Sequence, residues 1–190
     1  MNPNPDVIFA RVTSEQMDEY VHTEVLYYHI GAMSGMQMPQ LTIGVWLEAQ
    51  WRLKALAAQL SAAQQRDVDA AQTAVQRVRS RAAELYKQKA RREFKSCLDT
   101  WSWYLDDVLA RDPKGIPPEG QAYGTQAHVR FRLELLKDDV PQMHDQLARL
   151  TSCDRQLRAR FAHGTFVWDA ALQPHALEDT FWFLYGHPGG

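Results

Sequence analysis

Residues 62–111 read AAQQRDVDAAQTAVQRVRSRAAELYKQKARREFKSCLDTWSWYLDDVLAR, which is the longest segment of the chain with a helical pattern. It contains neither glycine nor proline, so no residue in it breaks a helix. Apolar residues recur every three or four positions, first as Val68, Ala71, Val75, Val78, Ala82 and Leu85, and then as Phe94, Leu98, Trp101, Leu105 and Val108. This rhythm is typical of a coiled-coil seam. The sequence therefore predicts one long central helix over 62–111.

The seam changes phase within this helix. Lys89 falls where the next apolar residue after Leu85 should be, and the later apolar set is out of phase with the earlier one. We expect the apolar face to shift between Tyr86 and Phe94 while the helix stays continuous. A helix of about 50 residues would be roughly 75 Å long, whereas a compact chain of this length spans only about 40 Å. The sequence therefore predicts an elongated helical bundle.

A second helix is predicted over 42–60, directly before the long one. Its apolar residues lie on one side, at Ile43, Trp46, Leu47, Leu53, Leu56 and Leu60. Ser61 and Gln64 form a capping-box pattern, which places a turn between the two helices. We expect helix 42–60 to form an antiparallel hairpin with the first half of the long helix.

The rest of the chain is also predicted to be helical. Thr13 with Gln16 matches a capping box and predicts a helix that runs to about Met33. Further helical patterns are found at 121–139 and 142–162. Alternation of the kind seen in strands is confined to 165–168. We therefore expect a single all-α domain over 1–190, in which the segments 1–12 and 164–190 are largely irregular.

Composition favours an ordinary globular protein. Of the 190 residues 45% are hydrophobic and 23% are charged, with a net charge of −2, which fits neither a collagen-like nor a disordered chain. The start MNPNPDVIF lacks the cationic and apolar regions of a secretion signal, and no run is apolar enough to span a membrane. Two cysteines far apart in sequence give no disulfide or zinc pattern. A cytoplasmic location is expected.

Basic residues are concentrated in one part of the long helix. Segment 77–95 carries eight basic and two acidic residues, a local charge of +6 in a chain of net charge −2. One interpretation is a helix that lies along a nucleic-acid backbone and contacts phosphates through Arg77, Arg81, Lys87, Lys89, Arg91, Arg92 and Lys95. The other is a solvated helix face, or one that pairs with acidic groups of a neighbouring helix. The basic residues surround the helix rather than forming one stripe, which weakens the first interpretation.

A metal site of the helical-bundle type is a further alternative. Glu19 and His22 form a Glu-x-x-His pair, and His29 lies two turns further on, close to the same face. Dimetal carboxylate bundles use two such pairs together with Glu from two more helices. The second pair is missing here, so no metal or other cofactor is predicted.

Motifs for catalysis are poorly represented. The segment Gly31-Ala-Met-Ser34-Gly35 is not a nucleophile elbow, and the sequence has no phosphate-binding loop or dinucleotide fingerprint. Cys97 lies on an apolar helix face, where an inert buried thiol is expected. Cys153 follows an expected helix break near Thr151, so the positive end of a helix dipole would lower its thiol pKa. No catalytic residue and no enzyme activity are predicted.

Aromatic residues are more numerous than a small core needs. The C-terminal stretch 166–185 contains Phe166, Trp168, Phe181, Trp182, Phe183 and Tyr185. These residues either form a strap over the helices or anchor a partner. In the long helix, Trp101 and Trp103 cannot both face one buried stripe, so one indole must point outward.

These patterns predict a non-enzymatic interaction or scaffold protein that self-associates. Helix faces and aromatic anchors would mediate the contact, with Trp103, Trp182 and Tyr185 as the anchoring residues. The basic segment 77–95 would orient the partners electrostatically. A protein partner or a homo-oligomer is thus the leading expectation, with nucleic-acid binding and a bundle metalloprotein as the alternatives.

Overall fold

The computed structural model describes residues 1–33, 35–110 and 120–189. Over these residues the fold is helical, with only two small two-stranded sheets, so the predicted all-α class is confirmed. Contacts along the chain divide it into two compact units, Met1–Glu93 and Phe94–Gly190. Each unit is described by itself, and the expectation of a single domain stays a prediction. No helix within the described ranges is both long and apolar enough to cross a membrane.

The first unit contains α1 (Asn4–His22), β1 (Ala32–Met33), β2 (Met36–Gln37), α2 (Ile43–Ala55), a 3₁₀ turn (Ala57–Gln59), α3 (Ala62–Arg81) and the beginning of α4 (Ala83–Ala110). Strands β1 and β2 form a short antiparallel hairpin in which Ala32 lies opposite Gln37. Gly35 supplies the positive φ of its turn, 75°. Ser34 lies outside the described residues.

Helix α1 corrects the sequence prediction at both ends. It begins at Asn4 rather than at Thr13, because prolines in and beside its first turn suit a helix start. Thr13 lies in the middle of the helix and is buried, so it caps nothing. The helix ends at His22, well before Met33, where Thr23 takes an extended conformation. The expectation that 1–12 is irregular is therefore wrong.

The long helix is divided in two. Ala82 has φ −113° and ψ 43°, outside the helical region, and it separates α3 from α4. Hydrogen bonds of the helical type still link the Ala82 N–H to the Val78 carbonyl and the Tyr86 N–H to the Ala82 carbonyl. The expected continuous helix is thus wrong, and the break precedes the expected shift of the apolar face. Arg111, the expected end of this helix, lies outside the described residues.

The apolar rhythm explains why the helix breaks there. Beyond Val78 the buried seam advances four residues at a time, through Tyr86, Ala90, Phe94 and Leu98. Each step of four turns the apolar stripe by about 40° around a regular helix. The break at Ala82 reorients the backbone as this drift begins. The seam residues of both halves are buried as predicted except Ala82 and Leu85, which are half-buried, and Tyr86 is buried in place of Leu85. The Ser61–Gln64 capping box is confirmed.

The neighbours of α3 differ from the prediction. Helix α3 packs mainly against α1, and α2 also packs against α1. The expected hairpin in which helix 42–60 covers α3 is therefore corrected: α2 and α3 flank α1, and a cavity lies between them. The helix predicted over 42–60 itself ends at Ala55 and is followed by the 3₁₀ turn.

The second unit contains the rest of α4, then α5 (Gly120–Leu136), a 3₁₀ turn (Lys137–Asp139), α6 (His144–Arg158), β3 (Phe161–His163), a 3₁₀ segment (Ala170–His175), α7 (Glu178–Phe181), a 3₁₀ turn (Trp182–Leu184) and β4 (Gly186–Pro188). Helix α6 runs through Thr151 without the expected break. The strand expected at 165–168 is instead found at β3, which pairs antiparallel with β4.

The C-terminal segment is more ordered than expected. It forms short helical turns, and its residues Phe181, Trp182, Phe183 and Leu184 are buried. The Tyr123 hydroxyl donates a hydrogen bond to the Phe183 carbonyl at 2.5 Å. The expectation that 164–190 is largely irregular is therefore only partly right, because this segment closes the core of the second unit.

Candidate interaction site

Helix α4 presents two different faces in the second unit. One face carries Leu98, Trp101 and Leu105, which are completely or almost completely buried. The opposite face carries Trp103, whose relative exposure is 69%. The prediction that one indole of this pair must point outward is thus confirmed, and the outward residue is Trp103.

Carboxylates surround this exposed indole. Asp99, Asp106 and Asp107 lie three or four residues from Trp103, and side chains at this spacing share one helix face. Asp106 and Asp107 are exposed, and the Asp99 carboxylate accepts a hydrogen bond from the Arg149 guanidinium at 2.6 Å. We call these four residues of α4 the Trp103 face. It combines one large apolar ring with negative charge.

The two other predicted anchors lie elsewhere. Trp182 is 5% exposed and packs against the rings of Phe161 and Phe183, with the Arg158 guanidinium 3.8 Å from its ring centroid. Its burial leaves little of the ring for a partner, and its role as an anchor stays a prediction. Tyr185 is half-buried, and its hydroxyl donates to the Ala176 carbonyl at 2.5 Å. Trp182 thus holds the C-terminal segment against Phe161 and Arg158, whereas the Tyr185 hydrogen bond lies within that segment.

The basic residues proposed for phosphate contact do not form one surface. Arg77, Lys87 and Lys95 are exposed and Arg91 is half-buried. Two others are held in ion pairs: Arg81 lies 2.5 Å from Asp18, and Arg92 lies 3.7 Å from Glu24. The basic segment therefore neutralises acidic residues of its own unit in part, as the solvated or paired interpretation expects.

Lys89 is corrected as a surface residue. It is 2% exposed, and its ammonium donates to the Val25 carbonyl and to the Thr23 hydroxyl, the latter at 3.3 Å. The ammonium also lies 4.5 Å from the centroid of the Tyr20 ring. Burial, followed by the charge of Arg92, holds the pKa of Lys89 below its ordinary value. A lysine so enclosed does not reach a phosphate.

The candidate metal ligands are not brought together. Glu19 accepts a hydrogen bond from the Tyr28 hydroxyl at 2.7 Å. His22 Nδ1 lies 2.7 Å from the Asp18 carbonyl, and His29 Nε2 lies 2.8 Å from the Gln40 amide. Residues 1–33, 35–110 and 120–189 contain no group of three or more His, Cys, Asp or Glu side chains arranged to hold a metal ion. The metalloprotein alternative thus gains no support from the geometry.

Cys97 and Cys153 are both buried. Cys153 lies within α6 rather than at a helix start, so the expected dipole effect is absent. Burial raises the pKa of the Cys153 thiol above its ordinary value, although the Ser102 hydroxyl opposes the shift. A raised pKa leaves less thiolate at neutral pH and disfavours a nucleophilic role.

A cavity that the sequence did not predict lies between α2 and α3. Its volume is about 1160 Å³, and its lining includes Trp46, Leu47 and Gln50 of α2, Gln72 to Arg81 of α3, and Tyr86 of α4. Three arginines take part, Arg77, Arg79 and Arg81. Among the lining residues that the structure describes there is no Asp or Glu. We call this cavity the α2–α3 groove.

Gln50 gives the groove an unusual polar group. Both its amide oxygen and its amide nitrogen are inaccessible to water and have no hydrogen-bond partner within the described part of the chain. Leaving buried polar atoms unpaired costs about 1–3 kcal/mol for each group, so native proteins rarely do it. Gln50 and Gln72 also line a smaller cavity of about 460 Å³. The amide therefore carries an unmet hydrogen-bonding need inside the wall of the groove, covered from solvent by its neighbours.

Buried ion pairs fix one wall of the groove. Arg52 of α2 makes two hydrogen bonds to the Asp6 carboxylate of α1, at 2.7 and 2.8 Å, and a third to Glu48 at 2.6 Å. At the start of α2, the buried Glu93 carboxylate accepts hydrogen bonds from the Thr42 hydroxyl at 2.5 Å and the Gly44 N–H at 2.7 Å. A carboxylate at a helix N-terminus is favoured by the helix dipole. Helix α2 is thus held from both ends.

Comparison of the chain with protein-family models, curated proteins and solved structures finds no match.

Proposed function

We propose that this is a non-enzymatic helical interaction protein that self-associates through the Trp103 face. The observation that carries the proposal is the 69% exposure of the Trp103 indole on a helix whose opposite side is fully packed. Tryptophan is highly buried on average, and it is the residue most enriched at binding hot spots. An exposed indole rimmed by carboxylates combines apolar contact area with charge that selects a partner.

The other aromatic residues sharpen this proposal. Trp182 and Tyr185 already have partners within the second unit, so their rings are largely occupied. Trp103 has its ring in solvent, and burying a large aromatic side chain on association is worth several times the thermal energy. The self-association predicted from the aromatic surplus is therefore assigned to Trp103 alone.

The test is sedimentation equilibrium over a range of protein concentrations, comparing the wild type with Trp103→Ala. The matched control is Leu177→Ala, because Leu177 is also 69% exposed but lies in the C-terminal segment. Loss of a hot-spot indole should weaken association by about 30-fold or more, whereas the control should stay within about threefold of the wild type. A wild type that remains monomeric throughout, or a Trp103→Ala protein that associates as the wild type does, contradicts the proposal.

A further inference from the structure

We infer that the α2–α3 groove is the receptor for the Trp103 face of a second copy, so that copies associate head to tail. This inference rests on the proposed function, because it takes the Trp103 face as the docking surface. It adds the identity of the surface that receives it, which lies in the other unit of the chain.

Charge complementarity favours a second copy as the occupant. The described lining of the groove holds three arginines and no carboxylate, whereas the Trp103 face holds three aspartates around one indole. Arg77, Asp106 and Asp107 are exposed, whereas Arg81 is already paired with Asp18 and Asp99 with Arg149. Two copies of a symmetric Trp103 face would instead bring like charges together, which costs free energy. Opposite charges on different surfaces of one chain therefore favour a heterologous contact.

The unpaired amide of Gln50 matches the polar groups of the same face. An indole offers one N–H donor and no acceptor, and a carboxylate offers only acceptors. The Gln50 oxygen needs a donor and its nitrogen needs an acceptor. On docking, the side chains that cover the Gln50 amide would have to move aside. Trp103 and a neighbouring aspartate would then supply one partner each and remove the desolvation penalty that Gln50 carries in the single chain.

The volume of the groove also fits. Sites that enclose drug-sized ligands have volumes of about 300–1,000 Å³, and the groove, at about 1160 Å³, exceeds this range. It has room for an indole together with neighbouring side chains of one helical turn. Trp46, Leu47 and Tyr86 supply apolar and aromatic lining for the ring.

A heterologous contact predicts a specific assembly behaviour. Each copy has one anchor and one receptor, so copies add end to end until a ring closes or a filament grows. A variant that lacks Trp103 can still bind the Trp103 face of another copy in its groove. A variant with an impaired groove can still insert its own Trp103 face into the groove of another copy. Mixing one of each should stop the assembly at a dimer.

The experiment uses two full-length variants, Trp103→Ala as the anchor variant and Gln50→Leu with Arg77→Glu as the groove variant. We expect both to be monomeric in sedimentation velocity at concentrations where the wild type associates, with at least tenfold weaker self-association. An equimolar mixture should give heterodimers and nothing larger. A mixture that stays monomeric overturns the inference.

Separate outcomes distinguish the inference from the proposed function. If Trp103→Ala abolishes association while the groove variant associates as the wild type does, the Trp103 face is the interface but the groove is not its receptor. If the wild type does not associate, or Trp103→Ala changes nothing, the proposed function itself fails.

A charge exchange keeps the test decisive if the groove variant misfolds. Arg77→Glu and Asp106→Lys are single changes at exposed positions, and each should weaken association by about threefold to tenfold. A chain that carries both changes restores opposite charges across a head-to-tail contact and should regain wild-type association. Additive weakening in the double variant overturns the inference.

Discussion

The Trp103 face and the C-terminal segment use the same residue type in opposite ways. Trp182 is enclosed by Phe161, Phe183 and the Arg158 guanidinium of its own unit, whereas Trp103 meets solvent. On sequence alone, the two regions looked alike, because each contains more aromatic residues than a small core needs. An aromatic residue is therefore a binding candidate only when its own chain leaves it uncovered. Substitutions in the two regions should therefore separate stability from association.

The largest effect on stability is expected at Trp182. Trp182→Ala should lower the free energy of unfolding by about 3–5 kcal/mol, because it leaves a large cavity and removes the stacking on Arg158. Urea denaturation followed by circular dichroism measures this change. If the variant unfolds at the wild-type midpoint, then Trp182 is not a core residue and the contrast with Trp103 is lost.

Gly186 should give the next largest effect. Its φ is 152°, and a Cβ added there would lie 2.1 Å from the Ala162 carbonyl oxygen, across the β3–β4 pair. Gly186→Ala should therefore cost about 2 kcal/mol of unfolding free energy. The matched control is Gly164→Ala, since the nearest atom to an added Cβ there is 3.9 Å away. Equal thermal midpoints for the two variants would show that β4 does not hold the C-terminal segment in this way.

A pH dependence of stability is expected at Glu134. Burial opposes its ionisation, but hydrogen bonds and charge from Lys137 and Arg130 outweigh burial and hold its pKa below the ordinary value. The unfolded state therefore binds the proton more readily, and the stabilisation is complete above about pH 4.3 and lost as the pH falls through the lower folded pKa.

Glu134→Gln tests this dependence directly. At neutral pH it should be less stable than the wild type by about 1 kcal/mol, and the difference should shrink towards pH 3. Urea denaturation of both proteins at several pH values measures it. A difference that stays constant with pH would mean that the charge of Glu134 contributes nothing to the second unit.

The smallest effect on stability is expected at Trp103. Because its ring is exposed, Trp103→Ala should change the free energy of unfolding of the monomer by less than about 0.5 kcal/mol. Measurement belongs at a concentration where the wild type is monomeric. A loss comparable with that of Trp182→Ala would show that Trp103 contributes to folding, and would remove the main argument for its role in association.

Much of the fold follows from local patterns. The Ser61–Gln64 capping box and the buried seam residues of α3 and α4 could be predicted because they depend on near neighbours in sequence. The start of α1 could have been placed by the prolines before it, which suit a first helical turn. The choice of α1 as the partner of α3 depends on packing between distant segments, which periodicity does not encode.

The candidate site also combines features that follow from local sequence with features that depend on distant packing. The outward direction of Trp103 follows from helical geometry alone, because Trp101 occupies the seam. Whether Trp182 is buried depends on tertiary contacts between segments distant in sequence. The formation of the groove with its unpaired Gln50 amide depends on such contacts as well. The burial of Lys89 could have been predicted, because a lysine at a seam position indicates a buried ammonium. Counting it with the other basic residues of 77–95 instead placed it on the surface.

The enclosed ammonium of Lys89 provides a built-in reporter of motion. An acylating reagent reaches its nitrogen only after the Thr23–Val25 backbone moves aside, while Lys87 and Lys95 on the same helix are open to the reagent at all times. The labelling rate of Lys89 relative to that of Lys87 and Lys95, read by mass spectrometry, thus rises with the fraction of time for which this part of the first unit is open. Labelling of Lys89 therefore reports local unfolding of the native chain without a dye or a mutation.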